Sequence, residues 1–243
     1  MSGKVSNQKK FAAFDIDGTL MRWQLFHTIV DELAKRGRVT MSEYQTMTDL
    51  FAKWKRRTGP NSFSIYEEAM MNTWFALIKT VTFDEYHAAV QTVFNDQKDY
   101  TYTYTRQLIE KSKSNNYIII AISGSHQEIV QLIADYYDFD IAVGTKYPTI
   151  NGKFTGEEIT PVTDKGVILQ EIVNDYNLSW EDSYAVGDSS SDAKMMALVK
   201  NPIAFNPDRN LLVHAKSQGW NIVIERKNVT YELINQDGTY QLK

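Results

Sequence analysis

Cysteine is absent from this 243-residue chain. That excludes disulfides, thiolate metal sites and thiol nucleophiles, and it fits the reducing cytoplasm. Long apolar runs are missing as well; no stretch approaches the roughly 20 residues of a membrane-spanning helix. The first ten residues are polar and basic and lack the apolar centre of a secretory signal, so none is expected. Neither sign of charge dominates. Twenty-six Lys and Arg stand against 30 Asp and Glu, a net charge of −4. No bulk field therefore draws the chain to nucleic acid or to an anionic membrane. The four histidines are scattered without zinc-ligand spacing. No internal repeat or low-complexity segment is present. Hydrophobic residues make up 43% of the chain, enough for a sizeable core in one large domain or one domain with an insert.

What is present is concentrated in two acidic clusters. An apolar run, Phe11-Ala12-Ala13-Phe14, reads as a short buried strand, and Asp15-Ile16-Asp17-Gly18-Thr19-Leu20 follows it. Asp15 and Asp17 thus stand where a strand ends and a glycine turn begins. Positions i and i+2 of a strand share a face. Like charges that close are costly unless a cation or a shared proton relieves them. The second cluster, Gly187-Asp188-Ser189-Ser190-Ser191-Asp192, follows the apolar run Tyr184-Ala185-Val186. A parallel sheet brings two such strand ends together around one metal ion. Alone, Asp-x-Asp-Gly also fits a simple turn or the start of a calcium loop. The calcium reading fails, because Leu20 occupies the loop's glycine position and Phe26 its bidentate glutamate position.

Strand-like runs recur at Phe11–Phe14, Tyr117–Ile122, Ile141–Val143, Tyr184–Val186, Ile203–Phe205 and Ile222–Ile224. Amphipathic segments separate most of them: Tyr104–Lys113, Gln127–Tyr137, Gly166–Tyr176, Ala193–Val199 and Asn210–Gln218. This alternation predicts an α/β fold, a parallel sheet between two layers of helices, with ligands at the carboxyl ends of the strands. From Met21 to Tyr100 the alternation stops and only helical periodicity remains. Leu25/Thr28/Ile29/Leu33, Tyr44/Met47/Phe51/Trp54, Ala69/Thr73/Ala76/Leu77 and Tyr86/Ala89/Val90/Val93 form four stripes. These predict a helical cap over residues 21–100, inserted into a core of residues 1–20 and 101–243, and placed to act as a lid. Asn151-Gly152 predicts a small hairpin with a type I′ turn. The tail beyond Lys227 is polar, with a turn at Asp237-Gly238, and carries no predicted function.

Two further segments carry chemistry. The run Tyr117–Ile122 leads into Ser123-Gly124-Ser125 and then a helix start, where a hydroxyl and backbone amides make an anion site. Lys165 follows Asp164 at another helix start, an ammonium suited to a phosphate oxygen. Lys146 and Lys153 are its rivals. The chain order is carboxylate pair, serine at a strand end, lysine at a helix start, carboxylate pair. In that order Asp15-Ile-Asp17-Gly-Thr19, Ser123, Lys165 and Gly187-Asp188-Ser-Ser-Ser-Asp192 resemble the haloacid dehalogenase-like hydrolase superfamily. The resemblance covers nearly the whole chain and implies a Rossmann-like core. The cap position and the stretch Ala204-Phe-Asn206-Pro-Asp208 with Gly219-Trp220 resemble its phosphoserine phosphatase subgroup.

The resemblance implies roles. Asp15 is the expected nucleophile, forming an aspartyl-phosphate. Asp17 is the expected general acid, then base. A halide leaving group needs no acid, so Asp17 favours phosphoester chemistry over dehalogenation. Thr19, Ser123, Gly124 and Lys165 make up the phosphate-binding set, with Thr19 also fixing the loop. Mg²⁺ is the expected cofactor, held by the Asp15 carboxylate, the Asp17 carbonyl and Asp188, with Asp192 supporting. The function so implied is a Mg²⁺-dependent phosphomonoester phosphatase in the cytoplasm. Its expected partner is a small-molecule phosphate ester, not nucleic acid or membrane.

Alternatives remain at this point. A phosphotransferase or mutase uses the same phosphoaspartate, and a non-catalytic phosphate-binding protein uses the same scaffold. His126 reads as a helix-start or surface residue, Lys53–Arg57 as a solvated helix face, and Tyr100, Tyr102 and Tyr104 as hinge packing. One departure bears on the substrate. Phosphoserine phosphatases carry a glutamate nine residues beyond the nucleophile that recognises the substrate's amino group, and Gln24 stands there in this chain. A neutral amide pairs poorly with an ammonium, which argues against phosphoserine.

Overall fold

A computed structural model describes residues 8–159 and 163–243. The opening stretch Met1–Asn7, on which the expectation of no signal peptide partly rests, lies outside the described residues.

Strand β1 (Lys10–Phe14) is the centre of the architecture. Phe11, Ala12, Ala13 and Phe14 are all fully buried, as a strand covered on both faces requires. It pairs in parallel with β2 (Ile118–His126) on one side and with β6 (Ser179–Gly187) on the other. Outward from β2 lies β3 (Ile141–Thr145). Outward from β6 lie β7 (Asn201–Phe205) and β8 (Asn221–Arg226), also parallel.

Helices α5 (Thr103–Ser114), α6 (Gln127–Tyr136), α7 (Lys165–Asp175), α8 (Ala193–Met196) and α9 (Arg209–Gln218) connect these strands. The strand order runs β3-β2-β1-β6-β7-β8, so the direction of travel reverses at β1. Right-handed crossovers then place α5 and α6 on one face and α8 and α9 on the other. The gap between the carboxyl ends of β1 and β6 is the switch point where such sheets bind ligands. The core beneath it includes Phe11, Ile120, Ile122, Leu169, Met195 and Leu211. Each fully buried side chain of this size contributes about 1.5–3 kcal/mol relative to exposure. The fold is Rossmann-like α/β, as the alternation predicts.

The polar tail departs from its reading. It forms two strands, β9 (Val229–Gln236) and β10 (Thr239–Leu242), which continue the sheet antiparallel to β8. Asp237 and Gly238 both have positive φ, 51° and 84°, as a tight hairpin turn demands.

The chain divides into two compact units. The first comprises the described residues of Met1–Trp23, Lys98–Thr145 and Thr160–Lys243. The second comprises Gln24–Gln97 and Lys146–Ile159. It holds helices α1 (Leu25–Leu33), α2 (Met41–Lys55), α3 (Ser62–Leu77) and α4 (Phe83–Gln97), and the hairpin of β4 (Thr149–Ile150) and β5 (Lys153–Phe154).

Helix α2 starts at a capping box between Thr40 and Glu43. Leu25, Ile29 and Leu33 of the first stripe are buried, as is every residue of the fourth. The α3 stripe differs: Tyr66, Met70, Trp74 and Leu77 are buried, whereas Ala76 is exposed. The reason is aromatic packing. Trp74 lies 5.6 Å from Tyr86, 5.0 Å from Tyr147 and 5.9 Å from Phe154, ring centre to ring centre. The same contacts explain why residues 146–159 belong with the helices rather than with the core, where the sequence reading put them. Asn151 and Gly152 have φ of 52° and 73°, the type I′ geometry.

Candidate active site

The buried strand β1 delivers Asp15 to its carboxyl end, where the Asp15 amide donates to the Val186 carbonyl of β6 at 3.0 Å. Asp15 is 4% exposed and Asp17 8%. Lys165, the first residue of α7, lies between carboxylates. Its Nζ donates to Asp15 Oδ1 at 2.7 Å and to Asp192 Oδ1 at 2.6 Å, with only 2% of its surface exposed. Burial disfavours the ammonium, yet the two carboxylates outweigh that and hold its pKa above the ordinary lysine range. Neither Lys146 nor Lys153 belongs to this unit.

Asp192 is saturated. Its Oδ2 accepts from the Asp188 amide at 3.1 Å, the Ser189 amide at 3.0 Å and the Ser189 hydroxyl at 3.2 Å. A carboxylate with both oxygens so engaged orients its neighbours. Gly187 explains the close fit, because a Cβ there would collide with the Asp192 side chain. Ser123 is fully buried at the far end of β2; its hydroxyl donates to Asp17 Oδ2 at 2.8 Å and accepts from the Ser125 amide at 3.0 Å. The Gly124 carbonyl accepts from Thr145 Oγ1 at 2.6 Å. The Thr19 carbonyl accepts from Thr105 Oγ1 at 2.9 Å, and the Thr19 hydroxyl is buried without a hydrogen-bond partner among the described residues.

Asp188 completes the group. It offers an oxygen within 4.8 Å of oxygens of Asp15 and Asp192. Gly18, at φ +85°, leaves the space that the Asp188 carboxylate fills. Burial pushes the Asp15 carboxyl up to about 7 against the pull of Lys165, and Asp192 and Asp17 push the same way. Burial likewise lifts Asp188 well above the carboxylate range, with repulsion from Asp15 and Asp192 adding to it.

Among the described residues the four carboxylates Asp15, Asp17, Asp188 and Asp192 gather about one ammonium, Lys165, an excess of negative charge that a further cation would relieve. Asp15 Oδ2 is buried and accepts no hydrogen bond among the described residues. That unengaged oxygen, beside Asp188 in an all-oxygen donor set, fits a hard divalent cation of the Mg²⁺ type.

Sequence reasoning missed the props of this site. Thr105 and Thr145 each pin a motif carbonyl from a distant segment, and Lys194 Nζ donates to Asp164 Oδ2 at 2.7 Å beside Lys165. No local pattern marks them, since their partners are set by the fold. His126 is the N-cap residue just before α6, the helix-start position expected, but it is buried, and burial pushes its imidazole down to about 3. Lys53, Lys55, Arg56 and Arg57 are exposed in the second unit. Tyr102 and Tyr104 pack on Phe205, at 4.9 and 5.9 Å between ring centres.

A Rossmann-like sheet with a buried carboxylate–lysine cluster at its switch point fits the class of α/β enzymes that handle phosphoryl groups. Residues 12–197 match the family model of the haloacid dehalogenase-like hydrolases, and the chain belongs to that family. It is therefore a member of a hydrolase family, and the relatives and solved structures that it resembles include phosphatases. A phosphoserine phosphatase from Methanocaldococcus jannaschii is 24% identical over 83% of this chain and 87% of its own length. A histidinol-phosphatase from Neisseria meningitidis is 22% identical over 88% and 98%. Among solved structures, a Bordetella pertussis protein of unknown function superposes with a TM-score of 0.72 at 21% identity, covering 90% of this chain and 99% of its own. A phospho-aspartyl intermediate analogue of a phosphoserine phosphatase gives 0.62 at 21% identity, covering 91% and 95%.

Proposed function

We propose that the chain is a Mg²⁺-dependent phosphomonoester phosphatase that acts on a small soluble metabolite in the cytoplasm through a phosphoaspartate on Asp15. One observation carries the reading: Lys165 bridges Asp15 and Asp192 while Ser123 holds Asp17, so four separate motifs meet in one buried cluster. The phosphoserine phosphatase of the same fold was captured as a phospho-aspartyl intermediate analogue, the species assigned here to Asp15.

In the first step Asp15 attacks phosphorus, the bond to the ester oxygen breaks, and Asp17 delivers its proton to the departing alcohol. In the second, the Asp17 carboxylate takes a proton from water, whose oxygen attacks phosphorus. The aspartyl bond then breaks, releasing inorganic phosphate and free Asp15. Lys165 fixes the rotation of the Asp15 carboxylate and neutralises charge on the phosphoryl group. The Ser123 hydroxyl and Gly124 amide accommodate phosphate oxygens, with Ser123 exchanging its bond to Asp17 for one to substrate. Asp15, Asp188 and the Asp17 carbonyl are the groups that would hold Mg²⁺, with Asp192 supporting. Bound there, the cation would supply charge neutralisation for the transferring phosphoryl group.

Phosphate release from a panel of monoesters tests the reading. Phosphoserine and histidinol phosphate, the substrates named by the two relatives, belong in the panel, although Gln24 argues against the first. Release from one or a few compounds is expected, falling at least about 100-fold with chelator and returning with Mg²⁺. In ¹⁸O-labelled water one label should enter each phosphate. Turnover that survives chelation would remove the metal from the proposal, and alcohol released without an equal amount of inorganic phosphate would point to transfer to another acceptor.

Gly18→Ala probes the metal ligands separately. The added Cβ would push into the Asp188 carboxylate at a backbone angle that already disfavours side chains. The Mg²⁺ concentration for half-maximal hydrolysis of p-nitrophenyl phosphate is expected to rise at least about tenfold. An unchanged Mg²⁺ midpoint would exclude Asp188 as a ligand.

A further inference from the structure

The carboxylate of Glu225, at the end of β8, has 2% of its surface exposed, yet no role in the chemistry above uses it. Its Oε1 accepts from Arg22 Nη2 at 2.7 Å and from the Thr103 amide at 3.2 Å; its Oε2 accepts from the Tyr104 amide at 2.8 Å. Thr103 and Tyr104 open α5, so Glu225 also completes the amides of a helix N-terminus, where a negative charge is favoured. Strand β8 is a firm base for it, because the Glu225 amide donates to Asn206 Oδ1 at 2.9 Å.

Two routes lead from this carboxylate to the catalytic turn. The first runs through Arg22. Its Nε donates to the Thr101 carbonyl at 2.7 Å, its amide to the Tyr100 carbonyl at 2.9 Å, and its guanidinium lies 4.7 Å from the centre of the Tyr102 ring. The segment Leu20–Arg22 is thereby laid antiparallel against Tyr100–Tyr102, with Met21 paired to Thr101 and the Tyr102 amide on the Leu20 carbonyl at 2.9 Å. The Met21 carbonyl then receives the Gly18 amide at 3.0 Å. The second route runs through α5: two residues into its first turn, Thr105 donates its hydroxyl to the Thr19 carbonyl at 2.9 Å.

We propose that Glu225 is a positioning residue for the reaction: its buried carboxylate holds the Asp17-Gly18-Thr19 turn from both sides, through Arg22 and through the first turn of α5. The proposal rests on the phosphatase reading for the chemistry that is positioned. A carboxylate buried in an ion pair is a poor device for stability alone, since its desolvation offsets the attraction, but it specifies one arrangement of the groups it joins. The arrangement specified here is that of the turn bearing the acid, Asp17.

The test compares the wild type with Glu225→Gln and Arg22→Gln on two esters, phenyl phosphate and p-nitrophenyl phosphate. Phenol is the poorer leaving group and depends more on a well-placed acid. Glu225→Gln is expected to lower kcat/KM about 30-fold on phenyl phosphate and several-fold less on p-nitrophenyl phosphate, with faster hydrogen exchange at the Gly18 amide. Arg22→Gln should reproduce part of both effects. If Glu225→Gln fails to fold, Arg22→Gln, whose side chain is 39% exposed, carries the same comparison. Equal losses on the two esters, or unchanged kcat/KM with unchanged Gly18 exchange, overturn the proposal. If the wild type hydrolyses neither these two esters nor any other ester of the panel, the phosphatase reading falls, and Gly18 exchange alone decides whether Glu225 holds the turn.

Discussion

Asp15→Asn is expected to lower phosphatase turnover at least about 10⁴-fold while leaving the melting temperature at or above that of the wild type. The two halves of this result have one origin. Asp15 is 4% exposed, and burial drives its carboxyl up to about 7, so the native state holds this group at an electrostatic cost. An amide of the same shape removes the cost, and Lys165 keeps Asp192 as its partner. It also removes the oxygen anion proposed to lead the attack on phosphorus. Enzyme denatured in acid during turnover should carry a hydroxylamine-labile phosphoryl group in the wild type and none in the variant. Near-normal turnover in Asp15→Asn would dismiss Asp15 as nucleophile. A large fall in melting temperature would instead show that the carboxylate is structural.

Lys165→Met should damage both fold and activity. Asp15 and Asp192 would lose the cation that each touches at 2.7 and 2.6 Å, and neither has solvent to replace it. Breaking a buried pair on one side costs about 3–5 kcal/mol. For a chain of this length that is a fall of about 10 °C in melting temperature. Loss of a preorganised positive charge at the phosphoryl group should lower kcat about 10³-fold. The effects should be non-additive: Asp15→Asn/Lys165→Met should be more stable than Lys165→Met alone, because it removes one of the stranded carboxylates. Thermal melts of the two single variants and the double variant measure this directly. A Lys165→Met protein that melts with the wild type would refute the claim that Lys165 balances buried charge.

How much of this was legible in the chain depended on whether the signal was local. Phe11–Phe14 declares a central strand by being apolar at every position, and Asp15 takes its place from that strand alone. Ser123 and Asp188 likewise follow apolar runs, and Lys165 stands at a helix start. The start of β6 was not legible: Glu181 and Asp182 are exposed, and pairing of Ser179 with Lys10 decides that the strand begins there. Strands β9 and β10 escaped for the same reason, since half-exposed polar residues acquire strand geometry from β8 beside them. On α3, Ala69, Thr73 and Ala76 have helical spacing too, and only the partners of Trp74 show which face turns inward. Within the candidate site the residue types were readable but their pairings were not. That Ser123 holds Asp17, and that Thr105 holds Thr19, follows from which strand ends and helix starts the sheet brings together.

The central place of β1 has a consequence for synthesis on the ribosome. Phe11 pairs with Ile118, and Phe14 with Ala121 and Val186. Strand β1 is therefore flanked on its second side only after β6 has emerged. At 5–20 residues per second roughly 10–30 s separate β1 from β6, and an apolar strand has at least one unsatisfied edge throughout. Closing so long a loop also places the chain among slow folders with many non-local contacts. The nascent protein is thus exposed to mispairing and to chaperone capture until the strand that leads into Asp188 arrives.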